Sequence, residues 1–165
     1  MPVKRLKEFL DNQKIKYVTI SHSLAYTAQG IAALTHTPGK ELAKTVIVKV
    51  DDGLAMAVLP ASCHIDISRL QAATRAKTLS LAKEKDFKDR FPECEIGAMP
   101  PFGNLYEMPV FVDENLTQDK EIAFNAGSHR ELIRLAYEDF EILVKPTILK
   151  FSSAPDLESE GAWHL

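Results

Sequence analysis

Three short stretches hold residue types that could do chemistry. The first is Gly97-Ala98-Met99-Pro100-Pro101-Phe102-Gly103. Glycine lets backbone approach a ligand closely. Proline fixes φ and removes a donor. Together they make a stiff loop whose remaining N–H groups, those of Ala98, Met99, Phe102 and Gly103, point in set directions. Fixed neutral donors suit a carbonyl oxygen or a developing oxyanion. A rigid structural turn is the competing reading. The second is Lys44, at the head of the run Lys44–Val50. Its strand phase is shared by Val46, Val48 and Val50, whereas Thr45, Ile47, Lys49 and Asp51 take the other. A cation at the edge of an apolar face can hold a phosphate or a carbonyl oxygen, or simply snorkel. The third is Gly127-Ser128-His129, after the run Glu121–Asn125. It reads as a tight turn, or as a pocket wall where His129 hydrogen-bonds or restricts ligand size.

Other constellations carry less. Asp66 in Cys63-His64-Ile65-Asp66 is better explained as a helix N-cap than as a metal ligand. His22, His36 and His64 lack the spacing of a zinc-binding helix, and no P-loop or GxGxxG fingerprint is present. Cys63 and Cys94 form no CxxC pair, so a structural zinc site is not expected. Ser128 beside His129 does not make a triad, since nothing in the spacing supplies partner geometry. Either cysteine could be a nucleophile, but neither sits in a motif that lowers its pKa.

The elements that must position these residues follow from periodicity. Residues 3–14 read as an amphipathic helix with Val3, Leu6, Phe9 and Leu10 on one face. Residues 17–20 form a short strand, and a helix over 28–36 has Thr27 as its N-cap. Ala43–Asp51 and Leu54–Pro60 flank Asp52-Gly53, a hairpin signal. Residues 66–74 and 82–90 read as helices, and 109–113 and 121–125 as strands. The stretch 130–144 fits a helix, yet Leu132–Leu135 could be a strand leading into a short helix. Strands mixed with helices predict one α/β domain over residues 1–150 around a mixed sheet. Residues 151–165 lose periodicity and read as a mobile tail, with Phe151 and Trp163 able to dock.

Bulk composition agrees. The chain has 165 residues, 45% hydrophobic and 26% charged, with a formal charge of −3. It has no signal-peptide core and no run of about 18 apolar residues, so a cytoplasmic location is expected. The slight negative charge argues against coating nucleic acid, including DNA, by charge alone.

The order of motifs resembles a known family. Tyr26-Thr27 lies after His22; Leu42-Ala43-Lys44-Thr45-Val46 opens a strand; Ala57-Val58-Leu59-Pro60-Ala61 closes the hairpin; the Gly97–Gly103 loop and Phe124-Asn125-Ala126-Gly127-Ser128-His129 follow. This resembles the YbaK family of aminoacyl-tRNA deacylases, related to the editing domain inserted in bacterial prolyl-tRNA synthetases. The resemblance covers residues 15–145. It implies a compact α/β domain with a mixed, curved sheet, and a strand rather than a helix near Leu132–Leu135. It implies hydrolysis of the ester between a wrong amino acid and tRNA, often tRNA for proline; the combination of Met99, Phe102 and His129 suggests a small amino acid such as Ala, Ser, Thr or Cys. No metal or cofactor is implied, and the substrate's own ribose hydroxyl assists. Lys44 matches the family's essential lysine, and Gly97, Ala98, Met99 and Pro101 its GxxxP loop. Gly127, Ser128 and His129 match its GSH motif. Phe102, Gly103, Tyr26 and Thr27 are further substrate-binding candidates, with Met99, Phe102 and His129 setting pocket size and Tyr26 or Phe102 a stacking face. Lys40, Lys49, Arg69, Arg75, Arg130 and Arg134 are candidate phosphate contacts. A synthetase is an expected partner. The alternative is a non-catalytic aminoacyl- or nucleotide-binding module, or a synthetase adaptor.

Overall fold

A computed structural model describes residues 4–21 and 40–153. The expected helix over 28–36, together with Tyr26 and Thr27, lies outside the described residues. Helix α1 (Lys4–Asn12) buries Leu6 and Leu10 as its periodicity requires, and leads into β1 (Tyr17–Ser21). Strands β2 (Leu42–Val50) and β3 (Gly53–Pro60) form the hairpin, in register from Ala43/Pro60 to Val50/Gly53. The turn is Asp51-Asp52, one residue earlier than expected. Asp51 itself takes the positive φ of +53°. Its carboxylate accepts the Lys77 and Thr78 N–H groups at 2.9 and 3.0 Å, which offsets the cost of a left-handed non-glycine residue.

After β4 (His64–Ile65), Asp66 caps α2 (Ile67–Thr74), accepting the Arg69 N–H at 3.0 Å. Strand β5 (Leu79–Leu81) follows, then α3 (Glu84–Phe87), which passes into a 3-10 turn over Lys88–Arg90. The helix expected over 82–90 is therefore only one α-helical turn. Strands β6 (Val110–Asp113), β7 (Glu121–Asn125) and β8 (Glu131–Ala136) precede α4 (Tyr137–Val144), β9 (Thr147–Leu149) and β10 (Ser152–Ser153). The stretch 130–144 is thus a strand followed by a helix, as the resemblance implied.

The main sheet runs β1-β8-β7-β2-β3-β6-β9, with β5 also paired to β2. It is mixed: β7 runs parallel to β2, β3 to β6 and β6 to β9, and the other pairs are antiparallel. One face carries the larger core, where Ala43, Ile47, Met56 and Val58 meet Leu6, Leu10, Phe102, Phe124 and Phe140. The opposite face carries two smaller groups. One holds Val48, Ala55, Leu59, Leu70 and Phe151; the other holds Leu42, Ala61, Ala123 and Leu132.

The last described segment is held by one carboxylate. Asp113, 0% exposed, accepts the Phe151 and Ser152 N–H groups at 3.0 Å each and the Ser152 hydroxyl at 2.8 Å. Its other oxygen also takes the Asn115 N–H at 3.0 Å. The folded domain therefore continues through Ser153, past the boundary expected at 150. No helix among the described residues is long and apolar enough to cross a membrane.

Candidate active site

The glycine-proline loop and the GSH turn are brought together by backbone. The Glu95 N–H donates to the Gly127 carbonyl and the Gly127 N–H to the Ala98 carbonyl, both at 2.8 Å. Gly97 and Gly127 both have positive φ, +87° and +94°, a conformation that glycine adopts without a Cβ penalty. The His129 ring completes the join. Its Nε2–H donates to the Ile96 carbonyl at 2.7 Å, and its backbone N–H donates to a Glu95 carboxylate oxygen at 3.2 Å. A Cβ at Gly97 would stand 3.4 Å from His129 Cε1, so the two motifs are packed in contact.

His129, 7% exposed, is thus a brace between two loops. Ser128, 3% exposed, accepts the Arg130 N–H on its hydroxyl at 3.0 Å and shapes the turn. Glu95 is a residue the sequence reading missed. An acid in a loop carries no spacing signal, and its role exists only once the two loops meet.

The loop faces inward with its side chains. Ala98, Met99, Pro100, Pro101 and Phe102 are all buried. Phe102 is 0% exposed and lies 6.2, 5.5 and 5.6 Å from the rings of Phe9, Phe124 and Phe140. Its ring therefore offers no stacking face to a base and anchors the loop to β7 instead. Gly103 is demanded by close approach, because a Cβ there would fall 2.3 Å from the Met108 carbonyl oxygen. Of the four expected donors, the Ala98 N–H is committed to the Glu95 carbonyl at 3.1 Å. The Gly97, Met99 and Ser128 N–H groups have no hydrogen-bond acceptor among the described residues. The Phe102 and Gly103 N–H groups likewise have no acceptor among the described residues, so five donors of the two loops are left uncommitted.

Lys44 sits where two strands part. The β2/β7 ladder consists of Leu42/Ala123 and Ala43/Phe124 and then stops. Farther along β2 the same edge pairs with β5 at Val48–Val50. The edge between is left without a strand partner. Ala43 and Phe124 point into the large core, and Leu42 and Ala123 into the opposite face. By alternation Lys44 emerges on the Leu42 face, as its phase predicted. Burial lowers its pKa, with the nearby Cys63 a smaller opposing influence. Its ammonium has no hydrogen bond or ion pair among the described residues. A desolvated, unpaired cation of this kind is a functional-site signature.

The remaining candidates divide. Arg130 follows His129 directly and is exposed. Arg134 pairs across from Ala123, which places it on the Lys44 face. Arg69 is held by Asp66 at 3.9 Å, and Lys49 has the opposite strand phase to Lys44. Cys94 has its thiol pKa raised by burial, with the Tyr106 hydroxyl 3.7 Å away, the wrong direction for a nucleophile.

The chain is similar to known proteins in sequence and in fold. The profile of the family described as "Aminoacyl-tRNA editing domain" matches residues 22–143. The chain is 28% identical over 142 residues to the "Prolyl-tRNA editing protein ProX" of Acetoanaerobium sticklandii, covering 82% of this chain and 86% of that one. It is 26% identical over 153 residues to the "Multifunctional Ser/Thr-tRNA deacylase ProXp-y" of Escherichia coli, covering 90% and 91%. A solved structure of a candidate trans-editing enzyme for prolyl-tRNA synthetase has the same fold, with a TM-score of 0.78, 18% identity and coverage of 92% and 96%. The chain belongs to the family of aminoacyl-tRNA editing domains.

Proposed function

We propose that this protein is a freestanding deacylase that hydrolyses the ester joining a wrong, small amino acid to tRNA. The observation that carries the reading is the desolvated Lys44, without a partner among the described residues, on the crevice between β2 and β7, at whose end stand two zipped loops with uncommitted N–H groups.

Ester hydrolysis needs a positioned water, a place for the oxyanion and a proton for the leaving ribose oxygen. The Gly97, Met99 and Ser128 N–H groups are the candidates for the ester carbonyl and its tetrahedral oxyanion. Lys44 anchors the terminal phosphate or the carbonyl of the aminoacyl group. Three of the groups that could act as base or nucleophile are otherwise engaged. His129 Nε2 is bonded to Ile96, the Ser128 hydroxyl accepts from Arg130, and the Cys94 thiol is held protonated. The proton work then falls to the vicinal ribose hydroxyl of the substrate. Size selection rests on how Met99 and the His129 brace set the loop. A purely apolar pocket separates amino acids differing by one methylene by only about 1–3 kcal/mol. With a formal charge of −3, affinity for free tRNA should be weak and salt-sensitive, which makes a synthetase partner useful.

The test is deacylation of tRNAs charged with Ala, Ser, Thr, Cys and Pro. Fast hydrolysis of one or more mismatched pairs supports the reading. Stoichiometric binding of mischarged tRNA with no accelerated hydrolysis would replace it with a binding module.

A further inference from the structure

Asn125 is the last residue of β7 and begins the turn to Gly127. Its side-chain Oδ1 is buried and has no hydrogen-bond partner among the described residues. Neither end of the amide is bonded to any described residue. A buried amide oxygen left in this state costs about 1–3 kcal/mol, so its retention asks for a reason. Geometry supplies one. Lys44 and Asn125 are the next residues on their strands beyond the last β2/β7 ladder pair, Ala43/Phe124. Ala43 and Phe124 point into the large core, so Lys44 and Asn125 both emerge on the opposite face, with Leu42 and Ala123. The cation and the unpartnered amide therefore flank the same crevice.

We propose that Asn125 is a substrate-positioning residue whose amide oxygen accepts a hydrogen bond from a ribose hydroxyl of the terminal adenosine. The choice of donor follows from Lys44. Beside an ammonium, an acceptor gains little by attracting a second cation such as the α-ammonium of the amino acid, whereas a neutral hydroxyl meets no repulsion. Oriented in this way, the hydroxyl beside the ester keeps its lone pairs turned away from Asn125, able to accept a hydrogen bond from the attacking water and to orient it. This rests on the deacylase reading above.

The test uses Asn125→Leu, which keeps the approximate volume and removes the polar atom. The probes are two acceptor-stem minihelices carrying alanine through a 3′ amide in place of the ester, one with and one without the neighbouring 2′-hydroxyl. Wild type is expected to bind the hydroxyl-bearing probe about 3- to 10-fold more tightly, the weight of one neutral hydrogen bond. Asn125→Leu should lose that discrimination, bind both probes alike and resist urea at least as well as wild type. If the variant still discriminates to the wild-type extent, the proposal is overturned, and deacylation by wild type that disappears in Lys44→Ala leaves the deacylase reading standing. If wild type neither binds the probes nor deacylates any charged tRNA, both fall together.

Discussion

Replacing Gly97 by alanine tests how tightly the two loops are set. Gly97 has a φ of +87°, where a Cβ costs about 1–2 kcal/mol. The new methyl would stand 3.4 Å from His129 Cε1 and 3.7 Å from Nε2. Both are ordinary van der Waals distances, so the ring and its 2.7 Å bond to the Ile96 carbonyl can stay in place. The cost is then that of the backbone conformation, about 1–2 kcal/mol. With a urea dependence of about 2 kcal/mol per molar for a domain of this size, the midpoint should fall by about 0.5–1 M. Activity should fall further than stability explains. The uncommitted N–H groups of Gly97 and Met99 move with the loop, and losing one oxyanion donor outright costs about 100- to 1000-fold. Displacement rather than loss should lower kcat by about 10-fold or more under conditions where the variant is fully folded. A midpoint within about 0.2 M of wild type and a kcat within about twofold would refute the claim that the left-handed Gly97 sets this loop.

Three more outcomes follow from the geometry. Asp113→Ala strands four donors around a fully buried site and should cost at least about 3 kcal/mol in urea unfolding, with exchange protection lost first at Phe151 and Ser152. Asp119 has its pKa raised to about 6, by burial first and by Glu41 second. Its folded form holds a proton more tightly than the unfolded chain, so its contribution to stability is complete below about pH 4 and is lost as pH rises through about 6. Asp119→Asn should therefore raise the thermal midpoint at pH 7.5 and flatten the fall between pH 4 and 6; an unchanged pH profile would remove Asp119 as its source. Cys63→Ala and Cys94→Ser should keep deacylation, whereas loss of activity in either, with folding intact, would favour a thiol mechanism.

The parts of the fold legible in the sequence are those with long periodic signals. The β2/β3 hairpin, α1, the Asp66 cap and strands β6 and β7 each announce themselves through alternation, a 3.6-residue period or a capping residue. The short strands do not. Leu79–Leu81, Thr147–Leu149 and Ser152–Ser153 are too brief to show a period and exist because β2, β6 and β4 offer them an edge. Strand β8 was ambiguous because Leu132, Ile133 and Leu135 suit either period; pairing with both β1 and β7 decides it. At the site, residue type identified Lys44, Gly97 and Gly127 as candidates, since positive φ and an apolar strand phase are readable from type and spacing. What Phe102, His129 and Glu95 do was not readable. Phe102 turns inward because Phe9, Phe124 and Phe140 form a socket from three distant segments. His129 and Glu95 act on a loop about thirty residues away in sequence, a relation that spacing within one motif cannot encode.

The central claim is that Lys44 is kept for substrate and not for the fold. Lys44→Met removes a desolvated cation that has no partner among the described residues and leaves its apolar stem. The decisive measurement pairs urea unfolding of this variant with its single-turnover deacylation of the best mischarged tRNA in the panel. The account predicts a midpoint equal to or above wild type and a rate reduced to that of the uncatalysed ester. Deacylation at the wild-type rate in the folded variant would contradict it.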